Sequence, residues 1–290
     1  MDKYLDSFRE MISLRGLTDH TLTSYCTYIG AYLKYLTDIL HKQPEDVTWQ
    51  DLRDYVNWLK TSKALSDRTI NAAISQLRFF TMYVLHKPWD VTQLPRRKFD
   101  TYIPYVPSKK ELLKCISEVP DLKEQAMLAL MYSSGLRLGE VCSLRYEDID
   151  RNTMRIYIHH GKNRSSRYAI LSKNALDLLT KYWFECGKPR EWLFPCKYKK
   201  DTHYNPNALS NRFVSYRKRY NWNPKLTMHS FRHAFGTHLY ESGADILTIK
   251  ELLGHKSISS TAIYIHLADY KLRNVKSPFD MLGGDFLGNQ

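Results

Sequence analysis

The sequence predicts a mainly α protein with a small β-sheet, built as two domains: a helical domain, then a mixed α/β domain that is mostly α. Three observations predict it. Apolar residues recur at three- and four-residue spacing through most of the chain. One short stretch, residues 154–171, alternates instead with the two-residue period of a half-buried hairpin. And 290 residues exceed one ordinary core of about 100–150 residues, with a proline-rich break where a boundary would fall.

The first ninety residues read as helices. Thr18 precedes Leu22, Tyr25, Ile29, Leu33, Leu36 and Leu40 at helical spacing. Thr48 with Asp51 forms a capping-box pattern ahead of Leu52, Tyr55, Val56 and Leu59. Ser66 is placed to cap a helix bearing Ile70, Ala73, Ile74, Leu77, Phe80 and Val84. These stripes can bury one another as a small bundle. The pattern breaks over residues 87–107, which hold Pro88, Pro95, Pro104 and Pro107 around Arg96-Arg97-Lys98. Residues 1–90 are therefore expected as one domain, 91–107 as a basic linker able to lie along a DNA backbone between two lobes, and 108–290 as the second domain.

Beyond the linker, Ser108 caps a helix through Leu112, Leu113 and Ile116, and a second helix covers Lys123 to Tyr132 and stops at Gly135. A short helix is expected from Leu138 to Leu144. Met154 to His160 reads as a strand, Gly161 to Arg167 as its turn, and Tyr168 to Leu171 as the returning strand. Helices resume at Asn174.

Charge narrows the function classes. Forty-three basic residues against thirty acidic give +13. Residues 1–100 contribute +2 and residues 101–290 contribute +11, while 151–220 alone carry +12. A field this local suits a polyanion, nucleic acid above all, better than a general solubilising surface. A basic membrane-surface helix fits less well, since strand and loop patterns share the segment. No apolar run approaches the ~20 residues that span a bilayer, and the acidic N-terminus lacks a signal peptide's apolar region. Five scattered cysteines without a Cys-x-x-Cys pair point to a reducing, cytoplasmic setting rather than a disulfide scaffold or zinc finger.

Five segments hold polar residues that local structure does not require. In Ser133-Ser134-Gly135-Leu136-Arg137-Leu138-Gly139-Glu140, Arg137 and Glu140 could be an ordinary pair on a helix face, worth ~0.2–0.5 kcal/mol, or an anion clamp in which Glu140 orients the guanidinium. Lys162 sits at the hairpin tip with Arg164 and Arg167. His229 and Arg232 share a helix face. His229-x-x-x-His233 has a zinc-pair spacing, but no glutamate follows His229 and no third ligand stands at a recognised spacing, so no metal is expected. His255 follows Gly254 at a helix end, where it could simply complement the helix dipole. Tyr264, in a chain with twenty-one tyrosines, is not distinguished by its surroundings alone. Taken together, two arginines, a lysine, two histidines and a tyrosine make an electropositive pocket with an oxygen nucleophile. That combination suits phosphoryl transfer in which guanidinium groups, rather than metal ions, neutralise the phosphate.

The order and spacing of these segments resemble the tyrosine recombinase (phage integrase) family, and the whole chain resembles its compact, Xer-like members. The resemblance rests on Gly-Leu-Arg137 with Glu140, Lys162 in the hairpin, His229-x-x-Arg232, Leu-Gly-His255 and Tyr264. It implies a helical, SAM-like core-binding domain, then a catalytic domain. Arg137 and Arg232 would grip the scissile phosphate, with His255 adding a hydrogen bond. Tyr264 would attack to form a 3′-phosphotyrosine, Lys162 would protonate the departing 5′ oxygen, and His229 would accept the tyrosine proton. Glu140 would orient the cluster. Neighbouring cations are expected to favour the phenolate of Tyr264. Neither metal, ATP nor another cofactor is implied, since the covalent ester stores the phosphodiester.

The same resemblance implies a homotetramer, or a related heterotetramer, exchanging strands between two duplexes through a Holliday junction. Phe279, Met281, Leu282, Phe286 and Leu287 form an apolar C-terminal tail that could dock on its own domain or a neighbour. The start of the helical pattern near the N-terminus suggests short core sites rather than additional arm sites. The role could be integrase, dimer resolvase or transposase of a small mobile element. DNA contacts are expected from Arg68 and Gln76 in the first domain, from Arg96, Arg97 and Lys98 in the linker, and from Arg164, Arg167, Arg212, Arg217, Lys218 and Arg219 in the second. The alternatives are a type IB topoisomerase, a DNA-binding regulator with a relict site, and a metal-dependent nuclease. No Gly-x-Ser-x-Gly elbow supports a serine hydrolase.

Overall fold

The computed structural model describes residues 2–17, 19–99, 103–159, 166–199 and 201–268. The chain divides into two compact units, Met1–Tyr102 and Ile103–Gln290.

The first unit is helical: α1 (Asp2–Ser13), α2 (Asp19–Tyr35), α3 (Trp49–Thr61) and α4 (Asp67–Tyr83), with a single π-helical turn at Leu36–Leu40. The expected caps of α3 and α4 are present. Asp51 N donates to Thr48 Oγ1 while the Asp51 carboxylate accepts from Thr48 N, and Thr69 N donates to Ser66 Oγ. Thr18, ahead of the α2 stripe, lies outside the described residues. The predicted stripes meet in one core of Ile29, Leu33, Leu36, Leu52, Tyr55, Leu59, Ile70, Ile74, Leu77 and Phe80, to which α1 adds Phe8 and Ile12.

The stretch expected as a linker is fastened at both ends. Leu94 is buried in the first core. Asn71 grips Arg97 by accepting from its backbone N and donating to its carbonyl, and Asp67 pairs with its guanidinium. Tyr105 and Val106 pack against the second core.

The second unit contains α5 (Lys109–Glu118), α6 (Leu122–Ser134), α7 (Leu138–Cys142), α8 (Lys173–Glu185), α9 (Pro206–Arg219), α10 (Met228–Glu241), α11 (Ile246–Leu253) and α12 (Ser259–Leu267). Its sheet is an antiparallel meander of β1 (Ile149–Asp150), β2 (Arg155–Ile158) and β3 (Arg167–Ile170), with Ile158 opposite Arg167. The expected hairpin is there, and the sheet gains the two-residue β1, too short to leave an alternating signal.

Helix α6 fills the middle: Ala126, Met127, Leu128, Leu130 and Met131 are all buried among α8, α10 and the sheet. It ends at Gly135 in the left-handed conformation (φ 65°). Glycine is needed there twice over, because a Cβ would also stand 2.5 Å from the Phe235 ring. A smaller core of Phe235, Ile249, Leu253 and Tyr264 joins α10, α11 and α12. No helix among the described residues is long and apolar enough to cross a membrane.

Candidate active site

The α6–α7 junction, the start of β3, α10 and the end of α11 converge. Arg137 precedes α7, and its exposed side-chain fraction is 22%. The Glu140 carboxylate accepts at both oxygens. Oε1 takes Arg137 Nη1 (2.6 Å) and Arg167 Nη1 (2.9 Å), while Oε2 takes the Arg137 backbone N (2.9 Å) and Arg167 Nη2 (2.8 Å). Burial works to raise its pKa, but the Arg167 and Arg137 bonds and charges outweigh it and hold the carboxyl at about 2.

Arg232 is almost wholly enclosed, 1% exposed on α10. It donates to the Gly135 carbonyl (2.6 Å) and to the Leu253 carbonyl, so one guanidinium ties the ends of α6 and α11 together. Burial first, then the Arg137 charge, lowers its pKa to about 10, which still leaves it cationic at neutral pH. Helix α11 begins at its cap, Asp245, and ends at Gly254 in the left-handed conformation (φ 63°), turning the chain so that His255 joins the arginines at the cavity. His255 Nδ1 lies 2.9 Å from Thr261 Oγ1. Burial, followed by Arg232, Arg137 and Arg167, pushes its pKa down to about 4, so the imidazole is neutral at pH 7.

Arg137, Arg232, His229 and His255 line one open cavity of about 450 Å³, with Gly254, Lys256, Ser257 and Ser260. His229 is exposed, and its ring meets that of His233 edge-on at 4.7 Å. His233 Nδ1 and Thr237 Oγ1, four residues apart on α10, are buried without hydrogen-bond partners among the described residues.

Tyr264 lies behind the cavity, 1% exposed, with its ring nearly parallel to that of His255 at 6.3 Å. It packs so tightly on α10 that a Cβ at Gly236 would come within 2.6 Å of its Cζ. Neighbouring cations act on its phenol as expected, but they do not prevail. Arg232 and Arg137 do pull its pKa down, but burial outweighs them and pushes it above the ordinary phenol value.

Lys162 and Arg164 lie outside the described residues, as does the apolar tail from Phe279 to Leu287. Several residues expected to contact DNA have other occupations. Gln76 is largely buried on α4, 7% exposed. Arg97 is committed to Asp67 and Asn71. Arg212 pairs with the buried Glu124 and donates to Tyr216 Oη. Arg217 donates to the Leu226 carbonyl (2.6 Å). Arg167 belongs to the Glu140 cluster and is not a free hairpin-tip cation. Arg68 (its guanidinium over the Phe99 ring), Arg96, Lys98, Lys218 and Arg219 are exposed. The sequence reading missed Thr261, the partner of His255. Only its position in the Ser-Ser-Thr run ahead of Tyr264 marks it, and that is no signal by itself.

Comparison with known proteins gives this arrangement a class. Residues 108–271 match the phage integrase family, and residues 4–91 match the phage integrase N-terminal SAM-like domain. The putative integrase/recombinase y4qK of Sinorhizobium fredii is 33% identical over 94% of this chain and 87% of its own length. The tyrosine recombinase XerC of Bacillus licheniformis is 30% identical over 93% of each chain. In structure, a lambda integrase dimer bound to a COC′ core site has a TM-score of 0.72 at 21% identity, covering 96% of this chain and 98% of that one. These likenesses define a site-specific tyrosine recombinase, an enzyme that transfers DNA strands. The chain belongs to the phage integrase family, among its compact, Xer-like members.

Proposed function

We propose that this recombinase cleaves and rejoins double-stranded DNA at short core sites through a 3′-phosphotyrosine on Tyr264, using no metal ion or ATP. The observation that carries the reading is the convergence of Arg137, Arg232 and His255 on one open cavity with Tyr264 directly behind it. Two guanidinium groups supply fixed positive charge for the non-bridging oxygens, whose negative charge must be neutralised during phosphoryl transfer. Neutral His255 acts as a hydrogen-bond donor to the same phosphate. Tyr264 Oη attacks phosphorus, the P–O5′ bond breaks, and Lys162 returns a proton to the departing 5′ oxygen. His229 takes the phenol proton. Attack by the 5′-hydroxyl of a second strand on the phosphotyrosine releases the tyrosine and completes exchange.

Tyr264, only 1% exposed, has to turn toward the cavity for this chemistry, so DNA or a neighbouring protomer must shift α12. A homotetramer, or a mixed tetramer with a related chain, on two duplexes provides that neighbour and carries the reaction through a Holliday junction. A regulator with a relict site would have no need for the arginines and His255 to converge.

Covalent trapping tests the reading. The protein is mixed in EDTA with nicked duplexes made from DNA flanking its own gene, which lose the 5′-hydroxyl fragment after cleavage. Wild type is expected to give a denaturation-resistant protein–DNA band, and Tyr264→Phe none. A band that persists in the phenylalanine variant rejects the assignment.

A further inference from the structure

Arg167 stands at the meeting point of three segments. It opens β3, five residues after Lys162, and pairs across the hairpin with Ile158. Its two Nη atoms take one oxygen each of Glu140, at 2.9 and 2.8 Å. Its Nε donates to the Leu252 carbonyl at 2.9 Å, and its Cδ passes so close to Gly254 that a Cβ there would stand 2.8 Å away. The side chain is 9% exposed and, unlike Arg137, does not line the cavity.

We infer that Arg167 is a positioning residue, whose two-pronged hold on Glu140 and hold on the end of α11 set the Arg137 guanidinium and His255 for one phosphate. The inference rests on the reading of the cavity as a phosphate site. Planarity is what makes the geometry work. A guanidinium that engages both oxygens fixes the plane of the carboxylate as well as its place. With that plane fixed, Glu140 meets Arg137 at two points, Nη1 and the backbone N, which leaves the rest of the Arg137 fork directed away from the carboxylate. Through Leu252 and Gly254, the same side chain fixes the turn that delivers His255. A lysine at position 167 keeps the charge but holds one point at a time, so it preserves attraction without orientation.

Sulfate is the probe, because it is a tetrahedral oxyanion, like the phosphate it stands for, and does not titrate near neutral pH. Its affinity for the full chain is measured by titration at constant ionic strength, following the Arg137 Nε–H resonance, with thermal unfolding alongside. Arg167→Gln is expected to bind sulfate about tenfold more weakly, in the range found when a partner behind a ligand is removed, and to displace the Arg137 resonance. Arg167→Lys is expected to fall between Arg167→Gln and wild type. On a Glu140→Gln background, Arg167→Gln is expected to cost little more, since both act through one carboxylate.

Wild-type affinity in Arg167→Gln, or effects of the two substitutions that simply add, would overturn the inference while leaving the phosphate site intact. If Arg167→Gln does not fold, an Arg167→Lys protein with wild-type affinity and an unmoved Arg137 resonance overturns it. A wild-type chain that takes up no sulfate overturns the phosphate-site reading and this inference with it.

Discussion

Two buried glutamates in the second unit show how similar hydrogen bonding serves different ends. Glu140, 8% exposed at its side chain, is held by Arg137 and Arg167. Glu124, 1% exposed, accepts from Tyr204 Oη and Tyr216 Oη at 2.6 Å each and pairs with Arg212. Both carboxylates are desolvated and fully partnered, as buried charges must be. They differ in where their cationic partners stand. Around Glu124 the tyrosines are neutral, and Arg212, half exposed, pairs with the carboxylate through Nε and donates to Tyr216 Oη, so the cluster stitches α6 to α9 without lining a shared cavity with other cations among the described residues. Around Glu140 one arginine is spent on orientation while the other faces an open cavity. A buried carboxylate becomes part of a candidate site when the cation it holds shares a cavity with other donors, as Arg137 does with Arg232 and His255.

The largest effect that can break this comparison is on chemistry. Glu140→Gln keeps the shape but removes the charge that orients Arg137. Trapping is expected to slow about 100-fold, the scale of a small displacement of a catalytic group. Glu124→Gln is expected to leave trapping near the wild-type rate when assayed well below its unfolding temperature. Equal losses in the two variants would show that the distinction between a scaffold carboxylate and a site carboxylate is false.

Stability reverses the order. Glu124 binds together residues 80 to 92 positions away in sequence. Its replacement by alanine is expected to lower the unfolding free energy by about 3 kcal/mol, the cost of leaving buried partners unmatched. Chemical denaturation measures this directly, and a loss below about 1 kcal/mol would mean that the Glu124 network holds little of the fold together.

The pH dependence sharpens the same contrast. The Glu140 carboxyl is held at about 2 in the folded chain, against about 4.3 in an unfolded one. A depressed carboxyl contributes stability that is fully present above the unfolded value and is lost as pH falls through the folded one. The stability gap between wild type and Glu140→Gln is therefore expected to narrow between about pH 4.3 and 2. Protonation of His255, which begins below its ordinary value and ends near 4, affects both proteins and drops out of the difference. A gap that stays constant over that window removes the ion pair as its source.

These contrasts also mark what the sequence could reveal. Helices with a cap and a stripe, such as α3 behind Thr48, follow from residues within one or two turns of each other. So does the Arg137–Glu140 pair, three residues apart. The role of Arg167 does not, because its partners Glu140 and Leu252 are 27 and 85 residues away, and a hairpin arginine looks the same whether or not it is spoken for. Tyr264 was found through its place in an ordered set of motifs, yet its burial, which reverses the expected shift of its pKa, comes from Gly236, Phe235 and Leu253 on two other helices. Net charge was legible as a sum over residues 151–220, but not which cations remain available to a partner.

That last point yields the smallest expected effect. On α9, Arg212 pairs with Glu124 while half its side chain stays exposed, Arg217 is committed to the Leu226 carbonyl, and Lys218 and Arg219 are exposed, the latter with its guanidinium beside the Tyr220 ring. Each phosphate neutralised by a protein cation adds about 0.9 to the slope of log affinity against log salt. The double substitution Lys218→Ala/Arg219→Ala is therefore expected to weaken binding to any duplex and to flatten that slope by up to about 1.8. Arg217→Ala, removing a cation already turned inward, is expected to change the slope by less than half as much. Fluorescence anisotropy with one labelled duplex across a salt series separates them. If Arg217→Ala flattens the slope as far as the double variant does, hydrogen bonding to a carbonyl has not withdrawn that guanidinium from DNA. The distinction between spent and available cations would then fail on α9, while the cluster around Glu140 stands on its own tests.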